Sequence, residues 1–274
     1  MNNLAEKKFI LLNEDTIEID LDSSSSYKLD FKSIKYKNLV VNLKKQSKIS
    51  ILNVVNDSNK NVTFNLEEGS SLEYNIASFE KENENSVKVN LNSNCSFIGA
   101  YADFSCGENS FNFVCNLNGR GSTASWHLAT LTKNNDKKNF TISFFHHARN
   151  TYAKMENYGV CEDSSSLSFL GTSRIFNGAK ESATHQVAKI MVFDKKCSAK
   201  ASPTLCIDEN DVQASHAAVV GQINEDHIFY LTSRGIDEKN AKKLITLGYL
   251  TPILSYFKDE ETLNIIKTNI EERV

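Results

Sequence analysis

Short runs of alternating apolar and polar residues dominate the chain from Tyr27 onward, and clusters of Asn, Ser, Asp and Gly separate them. An alternation with a period of two is typical of a β-strand that buries one face, and here it recurs about every 10 to 14 residues. No segment with helical periodicity interrupts the series for roughly 190 residues. The pattern predicts an all-β region built from the runs YKLDF, NLVVNL, KISILNVV, NVTFNL, SLEYNIASF, SVKVNL, CSFIGAY, SFNFVCNL, ASWHLATL and FTISFF.

The connections between these runs bear on three all-β architectures: a sandwich, a barrel and a solenoid. A hairpin protein of this size should contain several Asn-Gly or Asp-Gly turns, but such steps, for example Asn177-Gly178, are rare here. Most junctions are polar clusters such as NDSNKN and KENENS, which suit a solenoid because its coils turn without tight hairpins. We therefore expect a solenoid core over residues 25–222, with about 20 to 25 residues in each coil, preceded by an N-terminal segment at residues 1–24.

Helical periodicity appears only after Gly221. Asn224 is positioned to cap a helix over EDHIFYLTSR, and Asp237 is positioned to cap a second helix over EKNAKKLITLGYLTPILSYF, which Pro252 should bend or break. A third helix, DEETLNIIKTNIEERV, carries a narrow apolar stripe that needs a partner surface. Residues 223–274 should thus form a helical domain that packs on the open end of the solenoid or docks another protein.

The charge and composition exclude several classes of partner. The chain has 274 residues, 40% of them hydrophobic, and a net charge of -3 that is spread evenly along the sequence. It contains no basic block that would attract nucleic acid, and no apolar run approaches the roughly 20 residues of a membrane span. Because the N-terminus also lacks the apolar core of a signal peptide, we expect a cytoplasmic protein.

Six cysteines occur without any C-x-x-C pair, so their spacing specifies neither a zinc knuckle nor a disulfide framework. In a reducing compartment, a scattered cysteine is usually a small buried hydrophobe. Cys206 lies ten residues before His216, and two adjacent strands could bring this thiolate and imidazole together as ligands for iron or zinc. The alternatives are a buried thiol and a structural histidine that is satisfied by hydrogen bonds.

Other candidate chemistry is sparse. His146 and His147 are adjacent at the end of a predicted strand, where neighbours face opposite sides, so at most one can enter a shared site. The favoured interpretation is a solvated pair at the strand end. The sequence has no G-x-S-x-G, H-E-x-x-H or P-loop motif, so any dependence on ATP must come from a partner. A solenoid enzyme that cleaves polysaccharides with acidic residues on neighbouring coils is a minor alternative.

Several specific sequence motifs lie in the segment from His185 to Leu247. They are the Pro-x-Leu-x-Ile strand that starts at Pro203, the Ser215-His216 step, and the runs VGQI, FYL and SRGI that follow. This segment resembles the C-terminal part of the SufB/SufD family of iron–sulfur cluster assembly proteins. The upstream run FFHHARNTYAKMENYGV resembles the family more weakly and extends the likeness to residues 145–247. The segments SHAAVVGQ and FYLTSRGI resemble SufD members of the family more than SufB members.

The resemblance implies a right-handed parallel β-helix followed by a helical C-terminal domain, with the role of a scaffold that is not itself an enzyme. SufD-like subunits pair with SufB through the β-helix ends. Their helical tail docks the ABC-type ATPase SufC, here expected through Phe229, Tyr230, Leu231 and Arg234. His216 matches the family histidine implicated at the SufB–SufD interface, so it would contribute, with Cys206 as a further candidate, to a transient iron–sulfur cluster shared with the partner. No nucleotide would bind to this chain itself.

The sequence also departs from the family pattern. Ala214 stands where a cysteine is often found, which argues against multi-ligand cluster binding by this chain alone, and Cys206 stands where an acidic residue is common. The additional helical segment with which family members usually open is not evident, so we expect a short form. Two alternatives stay open: a purely structural role in bracing SufB and recruiting SufC, and a homodimer, since like strand edges can pair in either case.

Overall fold

Parallel pairing of strands organises the molecule into a β-solenoid. The computed structural model describes residues 2–4, 9–29, 36–55, 60–79 and 83–273. Within these ranges the strands form two sheets of nine, and from the third strand onward the chain alternates between the sheets. The prediction of a mainly β fold, a parallel solenoid followed by a small helical region, is confirmed.

In each of the two sheets the strands lie in the order in which they occur along the chain, from the N-terminal to the C-terminal end of the solenoid. The first contains β1 (Asn2–Asn3), β4 (Ser25–Leu29), β6 (Lys48–Val55), β8 (Ser71–Ser78), β10 (Ser96–Asp103), β12 (Thr123–Thr132), β14 (Tyr152–Cys161), β16 (Ser182–Val192) and β18 (Val212–Gln222). The second contains β2 (Ile10–Asn13), β3 (Thr16–Leu21), β5 (Asn38–Leu43), β7 (Lys60–Leu66), β9 (Asn83–Leu91), β11 (Glu108–Leu117), β13 (Lys137–His146), β15 (Ser166–Ile175) and β17 (Ser198–Ile207). Because β3 pairs in parallel with β5, the second sheet includes residues upstream of position 25, where the sequence predicts the solenoid to start.

The alternation in the sequence places one face of each strand in the core between the sheets. In β11, for example, burial alternates strictly over its first six residues, so that Phe111 and Phe113 face inward. Phe113 stacks on the fully buried Trp126 with ring centroids 4.3 Å apart, and Phe111 stacks on the same indole at 5.6 Å. Since burial of one such side chain contributes about 1.5 to 3 kcal/mol, these aromatic contacts stabilise the packing of the two sheets against each other.

The coils lengthen toward the C-terminus. Asn38 pairs with Thr16, 22 residues earlier, whereas Ser202 pairs with Leu170, 32 residues earlier. The predicted length of about 20 to 25 residues per coil therefore holds only for the early coils. The physical reason is strand length, which rises from 6 residues in β5 to 10 in β17 and 11 in β18, so each later coil spans a wider sheet.

Polar residues at the corners permit the turns between sheets. Asn94, Asn134 and Asn150 adopt left-handed backbone conformations with φ of 58°, 57° and 58°. Asparagine tolerates this region better than most residues because its short side chain can hydrogen-bond locally. The polar clusters in the sequence thus correspond to corners of the solenoid.

The helical region begins directly after β18. Helix α1 (Glu225–Thr232) is capped by the Asn224 side chain, and α2 (Glu238–Leu250) by the Asp237 side chain, so both predicted caps are confirmed. Pro252 lies in a 3₁₀ segment, Thr251–Tyr256, that ends α2, and α3 (Glu260–Arg273) follows. In the described part of the chain, no helix is long and apolar enough to cross a membrane.

The helical region packs along the outer face of the first sheet. The 3₁₀ segment contacts β10 and β12, and α2 contacts β14. Ala100 and Ala102 on that face form a second core with the helical residues Leu250, Ile253, Phe257, Ile266 and Ile270. The short alanine side chains let the helices approach this face of the sheet. Of the two predicted placements of the tail, packing on the open end of the solenoid is therefore wrong, and docking of another protein stays a prediction. The final strands are left uncovered by the described residues.

Candidate functional site

The last strand of each sheet forms the C-terminal end of the solenoid, called the open end below. Within the described residues, β17 and β18 contact each other, and each hydrogen-bonds to a neighbouring strand on one side only. Val219 and Val220 of β18 are 54% and 45% exposed. An unpaired strand edge presents a row of backbone N–H and C=O groups to another strand. The open end is therefore chemically suited to the addition of a further strand.

His216 lies at the mouth of the solenoid interior. It pairs in register with Gln186, which is buried inside the preceding coil. The Gln186 amide nitrogen donates to Ser173 Oγ at 2.8 Å and to the Thr204 carbonyl at 3.1 Å. His216 occupies the same inward column, but no further coil of the described chain covers it, and the residue is exposed. Its imidazole is thus accessible to a metal or to a partner.

Cys206 occupies a different environment from His216. It pairs in register with Arg174, an exposed residue whose guanidinium donates to Asp208 Oδ2 at 2.8 and 2.9 Å. Cys206 therefore belongs to the outward column of the second sheet, whereas His216 belongs to the inward column of the first. Over the described ranges, no group of three or more His, Cys, Asp or Glu side chains could hold a metal ion. A site shared by the two residues stays a prediction, and a partner would have to complete it.

The histidine pair at the end of β13 is divided between two environments. His146 is fully buried, with Nδ1 2.8 Å from Thr151 Oγ1, whereas His147 stacks on Phe176 with ring centroids 4.5 Å apart. Burial, with a smaller contribution from His147, lowers the pKa of His146 to about 4. The expectation of a solvated pair is therefore wrong for His146, because the alternation in β13 turns this residue into the core as a neutral imidazole.

Helix α1 presents an exposed apolar surface. Phe229 and Tyr230 are 73% and 53% exposed, Leu231 is half-buried, and the Arg234 guanidinium lies 4.4 Å from the centre of the Tyr230 ring. No residue of α1 is buried, and the helix contacts α2, where Leu244 is also exposed. We call Phe229, Tyr230 and Leu244 the arm surface. Large apolar side chains left exposed in one small unit are typical of a surface that binds a partner.

A polar chain beneath the helical region has no local signature in the sequence. Glu156 Oε2 lies 3.0 Å from His127 Nδ1, and His127 Nε2 lies 3.0 Å from Tyr256 Oη. Burial lowers the pKa of His127, and the neighbouring Glu156 partly offsets this effect. The alternation in ASWHLATL indicates only that His127 faces away from Trp126. Its contact with Tyr256, 129 residues further along the chain, could not be read from any local pattern.

Comparisons with known proteins agree with this architecture. A family model described as the SufBD core domain of the SUF system for FeS cluster assembly matches residues 26–249. The chain belongs to the SufBD family. The match runs from the early solenoid strands through α1 and into the end of α2, so it includes the open end, His216 and the arm surface of this SufBD protein.

Curated relatives of this SufBD chain share modest identity with it. SufD from Bacillus subtilis is 31% identical over 159 residues, which cover 58% of this chain and 36% of the relative. SufD from Escherichia coli is 29% identical over 107 residues, or 36% of this chain and 25% of the relative. A SufBD family protein from Synechocystis is 24% identical over 141 residues, or 52% of this chain and 29% of the relative. The matched region thus spans between a quarter and about a third of these iron–sulfur cluster assembly proteins.

Proposed function

We propose that this SufBD family chain is a SufD-like scaffold subunit of cytoplasmic iron–sulfur cluster assembly. The observation that carries the proposal is the open end, where the edge of β18 and the accessible His216 occur together. A SufB-like subunit would add its own strands there and continue the sheets across the interface. The iron–sulfur cluster is then the cargo of the complex, and reduced thiols such as Cys206 persist in that compartment.

The donor atoms at the open end support a cluster site that is shared with the partner. Protein-bound clusters usually take four ligands, most of them thiolates. In the inward column of β18, His216 is flanked by Ala214 and Ala218, whose side chains carry no donor atom. His216 would therefore supply one nitrogen ligand, and the SufB-like subunit would supply the others. Cys206 lies on the outward column of the second sheet, so it could bind the cluster only at the outer edge of the interface.

His216→Ala tests this role directly. The variant is co-expressed with the SufB-like and SufC-like subunits, and the purified complex is reconstituted anaerobically with iron and sulfide and read by visible absorbance. We expect a severalfold lower cluster yield in an intact complex, because the substitution removes one donor from an exposed position. His147→Ala, which removes a histidine from the outer face, is the matched control. An unchanged yield with His216→Ala would eliminate the ligand role.

The arm surface supports docking of a SufC-like ATPase, which would hydrolyse ATP in place of this chain. Exposed aromatic anchors typically cost about 2 kcal/mol when truncated at an interface, or roughly 30-fold in Kd. Phe229→Ala should therefore weaken SufC binding by about that factor in a calorimetric titration. Leu170→Ala, at an exposed apolar residue of the second sheet, is the control. Equal affinity of the two variants would contradict docking at the arm surface.

A purely structural bracing role is the second candidate. The outward position of Cys206 favours this structural role, because of Cys206 and His216 only His216 faces the mouth of the solenoid. In that case His216→Ala leaves the cluster yield unchanged, while Val219→Asp, which puts a charge on the exposed face of β18, still disrupts pairing with the SufB-like subunit. Light scattering of the isolated chain and of the mixture distinguishes a homodimer from a heterodimer.

A further inference from the structure

A cavity lies between the outer face of the first sheet and the helical region. Its volume is about 350 Å³, within the usual range for small-molecule sites. Residues of β12 and β14 form one wall, and the end of α2 with the 3₁₀ segment forms the other. The residues that decide its chemistry are His127, Glu156, Tyr158, Gly248, Tyr249 and Tyr256.

Polar groups from both walls hold one another in a fixed arrangement. An ionised carboxylate only accepts hydrogen bonds, so the contact between Glu156 and His127 makes Nδ1 the donor and leaves Nε2 to accept from the Tyr256 hydroxyl. Lys154 Nζ lies 2.9 Å from the other oxygen of Glu156. Because burial lowers the pKa of His127, its imidazole is neutral at pH 7. The three side chains Glu156, His127 and Tyr256 therefore satisfy one another's hydrogen bonds, and Lys154 balances the one negative charge.

Aromatic rings line the space beside this chain. Tyr158 and Tyr249 meet edge to face with centroids 5.5 Å apart, and His127 and Tyr256 stack at 4.3 Å. Among the residues that the structure describes, the hydroxyls of Tyr158 and Tyr249 have no hydrogen-bond partner, so both are available to a ligand. Lys189 Nζ lies 5.6 Å from the centre of the Tyr158 ring, whose π face attracts the cation.

We propose that this cavity binds an uncharged, planar molecule of one or two aromatic rings that carries a hydrogen-bonding group. The flat ring packs against the tyrosine pair and the apolar Ile253, and the polar group bonds to the free tyrosine hydroxyls. A charged ligand is disfavoured because Glu156 is already paired with Lys154 and the Lys189 ammonium is already held at the Tyr158 ring, so neither charge is left to offset the cost of desolvation. Since its walls belong to both the solenoid and the helical region, the ligand holds the two together.

Three naphthalene probes that differ in charge test the ligand class: 2-naphthol, naphthalene-2-sulfonate and 2-naphthylmethylammonium. Each is titrated into the full chain at neutral pH by calorimetry, and thermal melts are recorded with and without it. We expect 2-naphthol to bind with one-to-one stoichiometry and raise the melting temperature, and the charged probes to bind at least about tenfold more weakly. Absence of 2-naphthol binding at millimolar concentration would overturn the proposal. Equal or tighter binding of a charged probe would overturn the assignment of an uncharged ligand.

Gly248→Leu tests the location. Apart from its chain neighbours and the backbone of its own helix, a Cβ at Gly248 would meet no heavy atom within 4 Å, and leucine favours a helix over glycine, so the variant should fold while its side chain narrows the cavity. We expect about tenfold weaker 2-naphthol binding, with the circular dichroism spectrum unchanged. Tyr158→Phe, which removes one hydroxyl and keeps the ring, should weaken binding severalfold and serves if Gly248→Leu does not fold. Gly221→Ala at the open end is the control, and unchanged affinity in a folded cavity variant would overturn the site.

Discussion

Lys137 and Lys138 are neighbours in β13 that face opposite environments. The Lys138 ammonium is fully buried, 2.6 Å from Asp103 Oδ2, and it donates to the Leu131 carbonyl at 3.0 Å. Lys137 is exposed and pairs with the equally exposed Glu108 at 2.9 Å. Adjacent residues of the same strand therefore form one buried and one exposed ion pair, which can be compared directly.

We expect Lys138→Met to reduce the free energy of unfolding by about 3 to 5 kcal/mol, because it leaves the Asp103 carboxylate buried without its opposite charge. Ser105, Asn109 and Thr130 still donate to that carboxylate at 2.6, 2.9 and 2.7 Å, but neutral donors do not cancel its charge. With a urea m-value of about 3 kcal/mol/M, the loss corresponds to a midpoint lowered by about 1 to 2 M.

Urea denaturation followed by far-ultraviolet circular dichroism measures this loss. Lys137→Met should leave the midpoint within experimental error, since water screens the exposed pair. The double variant Asp103→Leu/Lys138→Met should recover much of the loss, because it removes the uncompensated charge and fills the space with apolar atoms. Equal midpoints for Lys137→Met and Lys138→Met would refute the reasoning. A double variant less stable than Lys138→Met would refute it too.

Three further predictions concern the core, a corner and the helical region. The free energy of unfolding should fall by about 3 kcal/mol as the pH drops from about 6.5 to about 4, because His146 is neutral when folded and takes up a proton on unfolding. Urea titrations of His146→Gln over the same pH range should show a smaller fall. Gly119→Ala should lower the melting temperature strongly, since its Cβ would lie 2.0 Å from a backbone nitrogen of the preceding coil, whereas Gly221→Ala has open space. Arg273→Ala should speed amide hydrogen exchange in α3, because it removes the 2.6 Å contact with Asp136.

Each of these predictions has a contrary result. Identical pH profiles for the unmodified chain and His146→Gln would show that this imidazole does not titrate on unfolding. Equal melting temperatures for Gly119→Ala and Gly221→Ala would contradict the close approach at the corner. Unchanged exchange in α3 of Arg273→Ala would mean that apolar packing alone holds the helix on the sheet.

Features that depend on neighbouring residues could be predicted from the sequence. The period-two alternation identified the strands because successive side chains of a strand face opposite sides. Polar clusters marked the corners, and Asn224 and Asp237 marked the helix starts, because a cap is a hydrogen bond to a backbone group two or three residues away. The SufBD landmarks around Ser215-His216 are likewise contiguous in the chain, so the family could be recognised without coordinates.

The tertiary structure alone decided which strand faces are covered and by what. Alternation indicates only that His127 faces away from Trp126, whereas the contact with Tyr256 and the cavity beside it depend on how the helical region packs, 129 residues later. The same limit explains why the sequence could not show that Cys206 and His216 lie on different columns, and why it favoured a solvated His146. A strand pattern fixes the side on which a residue lies, whereas burial and proximity arise from pairing between distant coils, and no local interaction encodes that pairing.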